Sequence, residues 1–228
     1  KPTGNVVFNV TSGDTGEATV SPSTLTFTTG NWNSAQTVTV TGINDDIDDG
    51  TVNSTTTIAI NTGSTADSAY DSVSSQTVTV TTTDDDTAGF TIAQSGGSTT
   101  VAETGSTDTF TVVLTSEPTG NVVFALTDND TDNSEISYSP TALTFTAGNW
   151  NSAQTVTVTG VDDSSVDGSV NSTIAVAINT GSTADSTYDS VSSQTVTATT
   201  TDNDVAAAFR YSAIGGSTTV SETGTTDN

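Results

Sequence analysis

The sequence predicts an all-β protein made of tandem Ig-like antiparallel β-sandwiches, and three observations support this. Short segments rich in β-branched and aromatic residues alternate apolar and polar with period two, as half-buried strands do. No segment of useful length has helical periodicity. The block GNWNSAQTVTVTG occurs at 30–42 and again at 148–160, which places Trp32 and Trp150 118 residues apart (150 − 32). That period fits a sandwich of about 100 residues and exceeds the roughly 20–50 residues of a solenoid repeat.

Seven strands are predicted in the second copy of this repeat. In the strand at 154–160, for example, Val156 and Val158 face inward and the threonines between them face solvent. The predicted strands begin at Phe90, Thr109, Asn121, Ala142, Gln154, Ser172 and Gln194. The inward-facing residues form the predicted core: Phe90, Ile92, Phe110, Val112, Leu114, Val122, Phe124, Leu143, Phe145, Val156, Val158, Ile174, Val176, Ile178 and Val196.

One tryptophan and one tyrosine occupy matching loops of each repeat. They are Trp32 and Tyr70 in the first copy and Trp150 and Tyr188 in the second. Because each recurs once per copy, we expect them to close one end of the core. The alternative is a ligand-binding module in which the two tryptophans stack against a polysaccharide.

Domain boundaries are predicted where the repeat resets. Residues 1–86 are expected to form a sandwich that lacks its first strands, 87–204 a complete sandwich, and 205–228 the opening of a third repeat. The eight residues 109–116 have no counterpart before 1 or after 228, so the segment equals two periods less one strand. Open sheet edges are therefore expected. We expect the parent chain to continue in both directions, or neighbouring chains to supply the missing strands by strand exchange or head-to-tail assembly.

Composition excludes several functional classes. The 228 residues include 27 acidic and 2 basic ones, no histidine, cysteine or methionine, and carry a net charge of −25. Imidazole and thiol catalysis, thiolate or histidine metal sites and disulfides are absent from such a chain. Two basic residues cannot form a nucleic-acid interface or a basic membrane-surface helix. Disorder is the alternative for an acidic chain of low hydropathy, and regular strand alternation argues against it.

Carboxylates cluster at predicted turns, where the loops of a sandwich converge at its two ends. Converging carboxylates repel one another unless a cation lies between them. Calcium suits irregular oxygen ligand sets, since it takes six to eight oxygens, whereas magnesium requires an octahedron. The alternative is that the acidic loops only solvate the surface. The stretch DNDTDN at 128–133 begins like an EF-hand loop but lacks the required Gly and Glu further on.

Three short motifs resemble the Calx-beta family. They are V-x-E-x-G at 101–105, V-D-D-x-x-x-D at 161–167 and the terminal D-N-D at 202–204; LTFTAGNWNSAQTVTV is also similar to that family's L-x-F-x-x-G-x-x-x-K-x-V-x-V stretch. Calx-beta domains are β-sandwiches of sodium/calcium exchangers and of tandem arrays in bacterial surface proteins. The resemblance implies a calcium cluster at one pole, where one domain meets the next.

The resemblance also implies the metal ligands. Three residues depart from the family pattern: Asp167 replaces a usual Glu, Asn44 an Asp, and Gln154 the common Lys. The first repeat has no partner for Glu103, and Asp14 is its loop carboxylate. The implied ligands in the second repeat are Glu103, Asp128 or Asp130, Asp162, Asp163, Asp167, Asp202 and Asp204, and those in the first are Asp45, Asp49, Asp84 and Asp86, with Asn44.

The sequence thus predicts a structural protein with calcium as its cofactor. Tandem sandwiches would form the stalk of a secreted or cell-surface bacterial adhesin or a matrix fibre, with calcium stiffening the junctions. A duplicated catalytic site along a rod is not expected, because no carboxylate has a sequence partner that would tune its pKa. The chain is therefore not predicted to be an enzyme.

Overall fold

The computed structural model describes residues 1–129 and 135–207. Within those ranges the chain is all-β, with fifteen strands and three single-turn 3₁₀ helices, which confirms the predicted fold class. No helix in the described part is long and apolar enough to cross a membrane. The first-repeat strands are β1 (Val6–Ser12), β2 (Ala18–Ser21), β3 (Thr24–Phe27), β4 (Thr39–Gly42), β5 (Val52–Ile60) and β6 (Gln76–Thr82). Those of the second repeat are β7 (Phe90–Gln94), β8 (Thr99–Ala102), β9 (Thr107–Leu114), β10 (Val122–Asp128), β11 (Ile136–Ser139), β12 (Ala142–Phe145), β13 (Gln154–Gly160), β14 (Val170–Ile178) and β15 (Gln194–Thr201).

The second repeat folds into two sheets around one core. One sheet has the strand order β12-β10-β14-β15-β8 and the other β11-β13-β9-β7. All pairings are antiparallel except that of β8 with β15, which runs parallel from Thr99 opposite Ala198 to Ala102 opposite Thr201. This parallel pair brings the ends of both strands to the same pole, and the candidate site lies there.

The core of the second repeat agrees with the predicted inward set except at two partly buried positions, Ile92 and Ile178. The number of strands was predicted wrongly, since nine rather than seven lie between 90 and 201. The two that were missed, β8 and β11, each bury only one apolar side chain, Val101 and Ile136, so no apolar alternation stands out. The equally short β12, which was predicted, buries Leu143 and Phe145. Core residues outside the predicted set are Val101, Leu126, Ile136, Tyr188 and Ala198.

The first repeat forms the sheets β3-β1-β5-β6 and β2-β4, and its described residues include no counterparts of β7, β8 and β9. Matched positions show the consequence. Val78 is 51% exposed, whereas its counterpart Val196 is 1% exposed. Val40 is 40% exposed, and its counterpart Val158 is fully buried. Among the described residues, β4 and β6 each pair with a single strand, β2 and β5 respectively.

Gly160 allows β8 to lie directly against β13. A Cβ on Gly160 would collide with the backbone of Ala102, at the end of β8. Gly42 occupies the same place in the first repeat, yet the nearest atom to its hypothetical Cβ is Thr82 Cγ2 at 3.8 Å. The glycine of β13 thus sets the position of the residue that precedes Glu103.

Candidate metal centre

The second-repeat cluster is built from the ends of β8 and β15. Glu103 follows β8 directly, and Asp202 and Asp204 follow β15. Because the two strands are parallel neighbours, their following residues emerge side by side. One carboxylate oxygen from each of these three acids lies within 4.8 Å of the other two. The sequence-predicted Glu103, Asp202 and Asp204 are therefore brought together.

Asp202 holds the cluster's backbone in place. Its carboxylate accepts hydrogen bonds from the N–H groups of Gly168 at 2.8 Å and Asp204 at 2.6 Å. These two bonds lower the pKa of Asp202. Gly168 has φ +76°, a left-handed conformation that glycine adopts without steric cost. The chain segment carrying Asp167 is thereby fixed against the end of β15.

Glu103 is the least exposed carboxylate of the cluster, with 1% of its surface accessible. Its Oε2 accepts a hydrogen bond from Asn203 N–H at 3.1 Å, while Oε1 is buried and has no hydrogen-bond partner among the described residues. The bond from Asn203 lowers the pKa of Glu103, but desolvation and repulsion from Asp202, Asp163 and Asp167 outweigh it, so the pKa is raised. A buried carboxylate oxygen without a partner is costly in a protein unless a cation compensates it.

Asp204 has the same electrostatic character. Its Oδ2 is buried and accepts no hydrogen bond from the described residues. Desolvation is the largest cause that raises the pKa of Asp204, and repulsion from Asp202, Asp162 and Asp163 raises it further. Two neighbouring carboxylates thus each present an oxygen that is removed from water and faces other negative charges.

Glu135 is a site residue that the sequence-based prediction missed. The residue is 4% exposed. One of its carboxylate oxygens lies within 4.8 Å of carboxylate oxygens of Glu103 and Asp167. The residue precedes β11, and its carbonyl accepts hydrogen bonds from Val161 N–H at 2.9 Å and Thr200 Oγ1 at 3.3 Å. Glu17 stands 118 residues earlier (135 − 17) in the first repeat. That recurrence was the available signal.

The first repeat reproduces this frame. Asp84 accepts hydrogen bonds from Gly50 N–H at 2.7 Å and Asp86 N–H at 2.8 Å, and Gly50 is left-handed with φ +75°. Oxygens of Asp84, Asp85 and Asp86 lie within 4.8 Å of one another. A cleft of about 30 Å³ adjoins them, and Glu17 lines it. The hydrogen bonds lower the pKa of Asp84, whereas desolvation and neighbouring acids raise that of Asp86.

Glu17 takes the place of Glu135 in this cleft. Desolvation is the largest cause that raises the pKa of Glu17, and repulsion from Asp49, Asp14 and Asp45 raises it further. Asp45 and Asp49, which were predicted as ligands, line the same cleft together with Asn44. The first repeat thus gathers its predicted acids without a counterpart of Glu103.

The remaining predicted ligands differ in position. Asp162 accepts a hydrogen bond from Asn203 Nδ2 at 2.8 Å, which ties it to the D-N-D segment. Asp163 caps its own loop by accepting a bond from Ser165 N–H at 2.7 Å. Asp128 ends β10 opposite Ile174 and is in none of the acidic groupings of the described residues. Asp130 and the rest of DNDTDN up to residue 133 lie outside the described residues.

The acidic loop of the first repeat also contacts the second repeat. Asp48 Oδ2 accepts a hydrogen bond from Ala88 N–H at 2.7 Å, and the Asp46 carbonyl accepts one from Glu117 N–H at 2.6 Å. Asp45, Asp46, Asp48 and Asp49 belong to one six-residue stretch, 44–49. The loop at 44–49 therefore both lines the first acidic cleft and contacts the second repeat.

The aromatic loop residues differ between repeats. Trp150 is partly buried and packs against the core, as expected of a residue that closes one end of it. Tyr188 is buried more deeply than a lid, at 1% exposure, and its hydroxyl contacts Ser116. Trp32 is 45% exposed and borders a cleft of about 190 Å³ with Tyr70 and the core-facing side of β1.

Comparison with known proteins gives only distant likenesses. No protein-family model matches the chain, and no curated protein matches it. Domains 4 and 5 of the S-layer protein SbsC are similar at 18% identity over 85% of this chain and 70% of theirs, with a TM-score of 0.37. The apo-form Calx CBD1 domain is similar at 15% identity over 50% of this chain and 98% of its own length, with a TM-score of 0.34.

Proposed function

We propose that the chain is a calcium-stiffened structural segment of an extracellular or cell-surface bacterial protein, such as an adhesin stalk or matrix fibre. The observation that supports it most is Glu103 Oε1, a buried carboxylate oxygen without a hydrogen-bond partner among the described residues, next to Asp202 and Asp204. The Calx-beta-like motifs supply the same residues independently of the geometry. Cell-surface location belongs to the proposal and agrees with a cysteine-free, strongly acidic chain.

Calcium suits these groups better than other common cations. The donors are carboxylate oxygens, and histidine and cysteine are absent from the sequence, so the set favours a hard cation. Carboxylates that converge from β8, β15 and the loop at 161–169 offer an irregular arrangement, which calcium accepts. Glu103, Glu135, Asp167, Asp202 and Asp204 would hold the ion in the second repeat.

Calcium in the first repeat would act on the junction. The loop at 44–49 both lines the acidic cleft and accepts hydrogen bonds from Ala88 and Glu117. Neutralising the repulsion in that loop would favour the one conformation that makes both contacts. Binding would therefore restrict the movement of one repeat against the next.

The test is thermal unfolding and small-angle X-ray scattering in 10 mM CaCl₂ against EGTA, with MgCl₂ as the ion control. Extracellular calcium modules bind with Kd of about 10⁻⁴ to 10⁻³ M, so one site would add about 1.4–2.7 kcal/mol to the free energy of unfolding. Asp204→Asn should lose most of this increment. Asp189→Asn, which removes the same charge at an exposed residue outside the cluster, should keep it. If melting temperature and radius of gyration are the same in calcium and EGTA, the calcium proposal is wrong.

A further inference from the structure

The two acidic sites differ by a reciprocal exchange of one carboxylate and one carboxamide. Asn44 of the first repeat stands where the second repeat has Asp162, 118 residues later (162 − 44). At the same spacing (203 − 85), Asp85 stands where the second repeat has Asn203. Each repeat therefore has one acid and one amide at this pair of positions, in opposite order.

The sequence around the pair is otherwise kept. Only two of 17 positions differ between 70–86 and 188–204, and one of them is the exchange of Asp85 for Asn203. The cleft of the first repeat is lined by six carboxylates and one carboxamide, and the second repeat has six and one at the matching positions. These residues are Glu17, Asn44, Asp45, Asp49, Asp84, Asp85 and Asp86 in the first repeat and Glu135, Asp162, Asp163, Asp167, Asp202, Asn203 and Asp204 in the second. The charge at these positions is therefore the same in both repeats, although its place differs.

In the second repeat, Asn203 connects the exchanged pair to the buried carboxylate of the site. Its Nδ2 donates a hydrogen bond to Asp162 Oδ1 at 2.8 Å, and its backbone N–H donates one to Glu103 Oε2 at 3.1 Å. The other oxygen, Glu103 Oε1, is the buried one without a partner among the described residues. All three residues line one cleft of about 560 Å³. Asn203 therefore holds the exposed Asp162 beside the cluster without adding a charge.

In the first repeat, the carboxylate of the pair lies on the other segment. Asn44 and Asp85 line the same cleft. A carboxylate oxygen of Asp85 lies within 4.8 Å of oxygens of Asp84 and Asp86. Asn44 Nδ2 donates a hydrogen bond to the Asp45 carbonyl at 3.0 Å. The segment after β6 thus supplies three consecutive carboxylates, whereas the segment after β15 supplies two and receives the third from Asp162.

We propose that positions 162 and 203 act as one charge-setting pair of the second site, with a single carboxylate and an amide that positions it. Carboxylates at both positions would repel, because neither could donate the hydrogen bond that now joins Asn203 to Asp162. Amides at both positions would leave the site one negative charge short. Asn203 is therefore a positioning residue, and exchanging the two residues together keeps the charge of the site. The effect on an ion rests on the calcium proposal, whereas the repulsion between the two positions does not.

A double-mutant cycle in EGTA at low ionic strength tests the pair without calcium. Urea unfolding is followed through Trp150 in a chain whose Trp32 is replaced by Phe. Asn203→Asp should lower the folding equilibrium constant at least about threefold, and Asp162→Asn in the same chain should remove this loss. Asp189→Asn, which removes the same charge at an exposed residue outside the cluster, should leave the loss unchanged. A loss of equal size with Asp162, with Asp162→Asn and with Asp189→Asn would overturn the pair.

Calcium titration of the same chains tests the place of the pair in the ion site. The rise of the urea midpoint with calcium concentration gives the apparent Kd. Because ligand charge tunes calcium affinity, Asp162→Asn alone should raise the Kd at least about threefold, and adding Asn203→Asp should return it to within about twofold of the parent value. Asp189→Asn should keep the parent Kd.

The outcomes separate this proposal from the calcium proposal. A double exchange that binds calcium as weakly as Asp162→Asn alone would overturn the pair. A parent chain that does not respond to calcium, together with coupling between the two positions in EGTA, would overturn the calcium proposal and support the pair.

Discussion

The hydroxyl of Tyr188 offers a stability test with a matched control in the same chain. It donates a hydrogen bond to the Ser116 carbonyl at 2.6 Å and lies 2.8 Å from Ser116 Oγ. Both residues are buried, at 1% and 0% exposure. Tyr188→Phe keeps the ring in the core and leaves the polar atoms of Ser116 without this partner. A buried group deprived of its hydrogen bond costs about 1–3 kcal/mol.

Urea unfolding followed by tryptophan fluorescence measures this cost, because Trp150 reports on the second repeat once Trp32 is replaced by Phe. With an m-value of about 2 kcal/mol/M, the midpoint should fall by about 0.5–1.5 M. The matched variant is Tyr70→Phe, followed through Trp32 in a chain whose Trp150 is replaced by Phe. Its ring is only partly buried, so the change should stay within about 0.5 kcal/mol. Equal shifts in the two variants, or no shift in Tyr188→Phe, would refute the hydrogen-bond reasoning.

Three other predictions follow from the second repeat. Gly160→Ala should lower the free energy of unfolding by about 1–3 kcal/mol or more, since the new Cβ meets the Ala102 backbone. Gly148→Ala, whose new Cβ has Thr146 Oγ1 at 3.8 Å as its nearest atom, should change it by no more than about 0.5 kcal/mol; denaturant midpoints measure both. Glu103→Gln should abolish the calcium-induced rise in melting temperature without destabilising the chain in EGTA, and a variant destabilised equally in both conditions would identify Glu103 as a core polar group only. Asp185 stabilises the fold as a carboxylate: desolvation alone would raise its pKa, but hydrogen bonds from Thr187 and Thr119 outweigh it and lower the pKa below 3.8. Its contribution is present above that value and is lost as pH falls through the folded pKa, so Asp185→Asn should flatten the acid side of a stability–pH profile.

The all-β class and most of the core could be predicted from the sequence because alternation is a local property. Phe110, Val112 and Val156 stand in long alternating strands, and all are fully buried. The strands β8 and β11 could not be predicted in the same way. Each owes its state to a long-range partner, β15 or β13, rather than to its own four residues.

The candidate site was predictable where a motif or the repeat marked it. Glu103, Asp202 and Asp204 converge as the Calx-beta resemblance implies. Glu135 was missed because no motif includes it and its approach to Glu103 depends on the β11–β13 pairing. Asp128 ends β10 opposite Ile174 and belongs to none of the acidic groupings of the described residues, so its role as a ligand stays a prediction. Spacing along the chain predicts which acids lie together only when they follow strands that end at the same pole, as β8 and β15 do.

The parallel pairing of β8 with β15 determines how the second repeat would respond to pulling. The chain enters through β7 and β8 and leaves through β15, and the Gln194 side chain at the start of β15 bonds the Phe90 carbonyl at the start of β7. Tension between the two ends therefore draws β8 and β15 in opposite directions along their length. Their four register pairs, from Thr99 with Ala198 to Ala102 with Thr201, bear the load together in shear instead of opening one after another. In a fibre of such units, each second repeat would resist extension until all four pairs break together, so it would unfold in one step at high force.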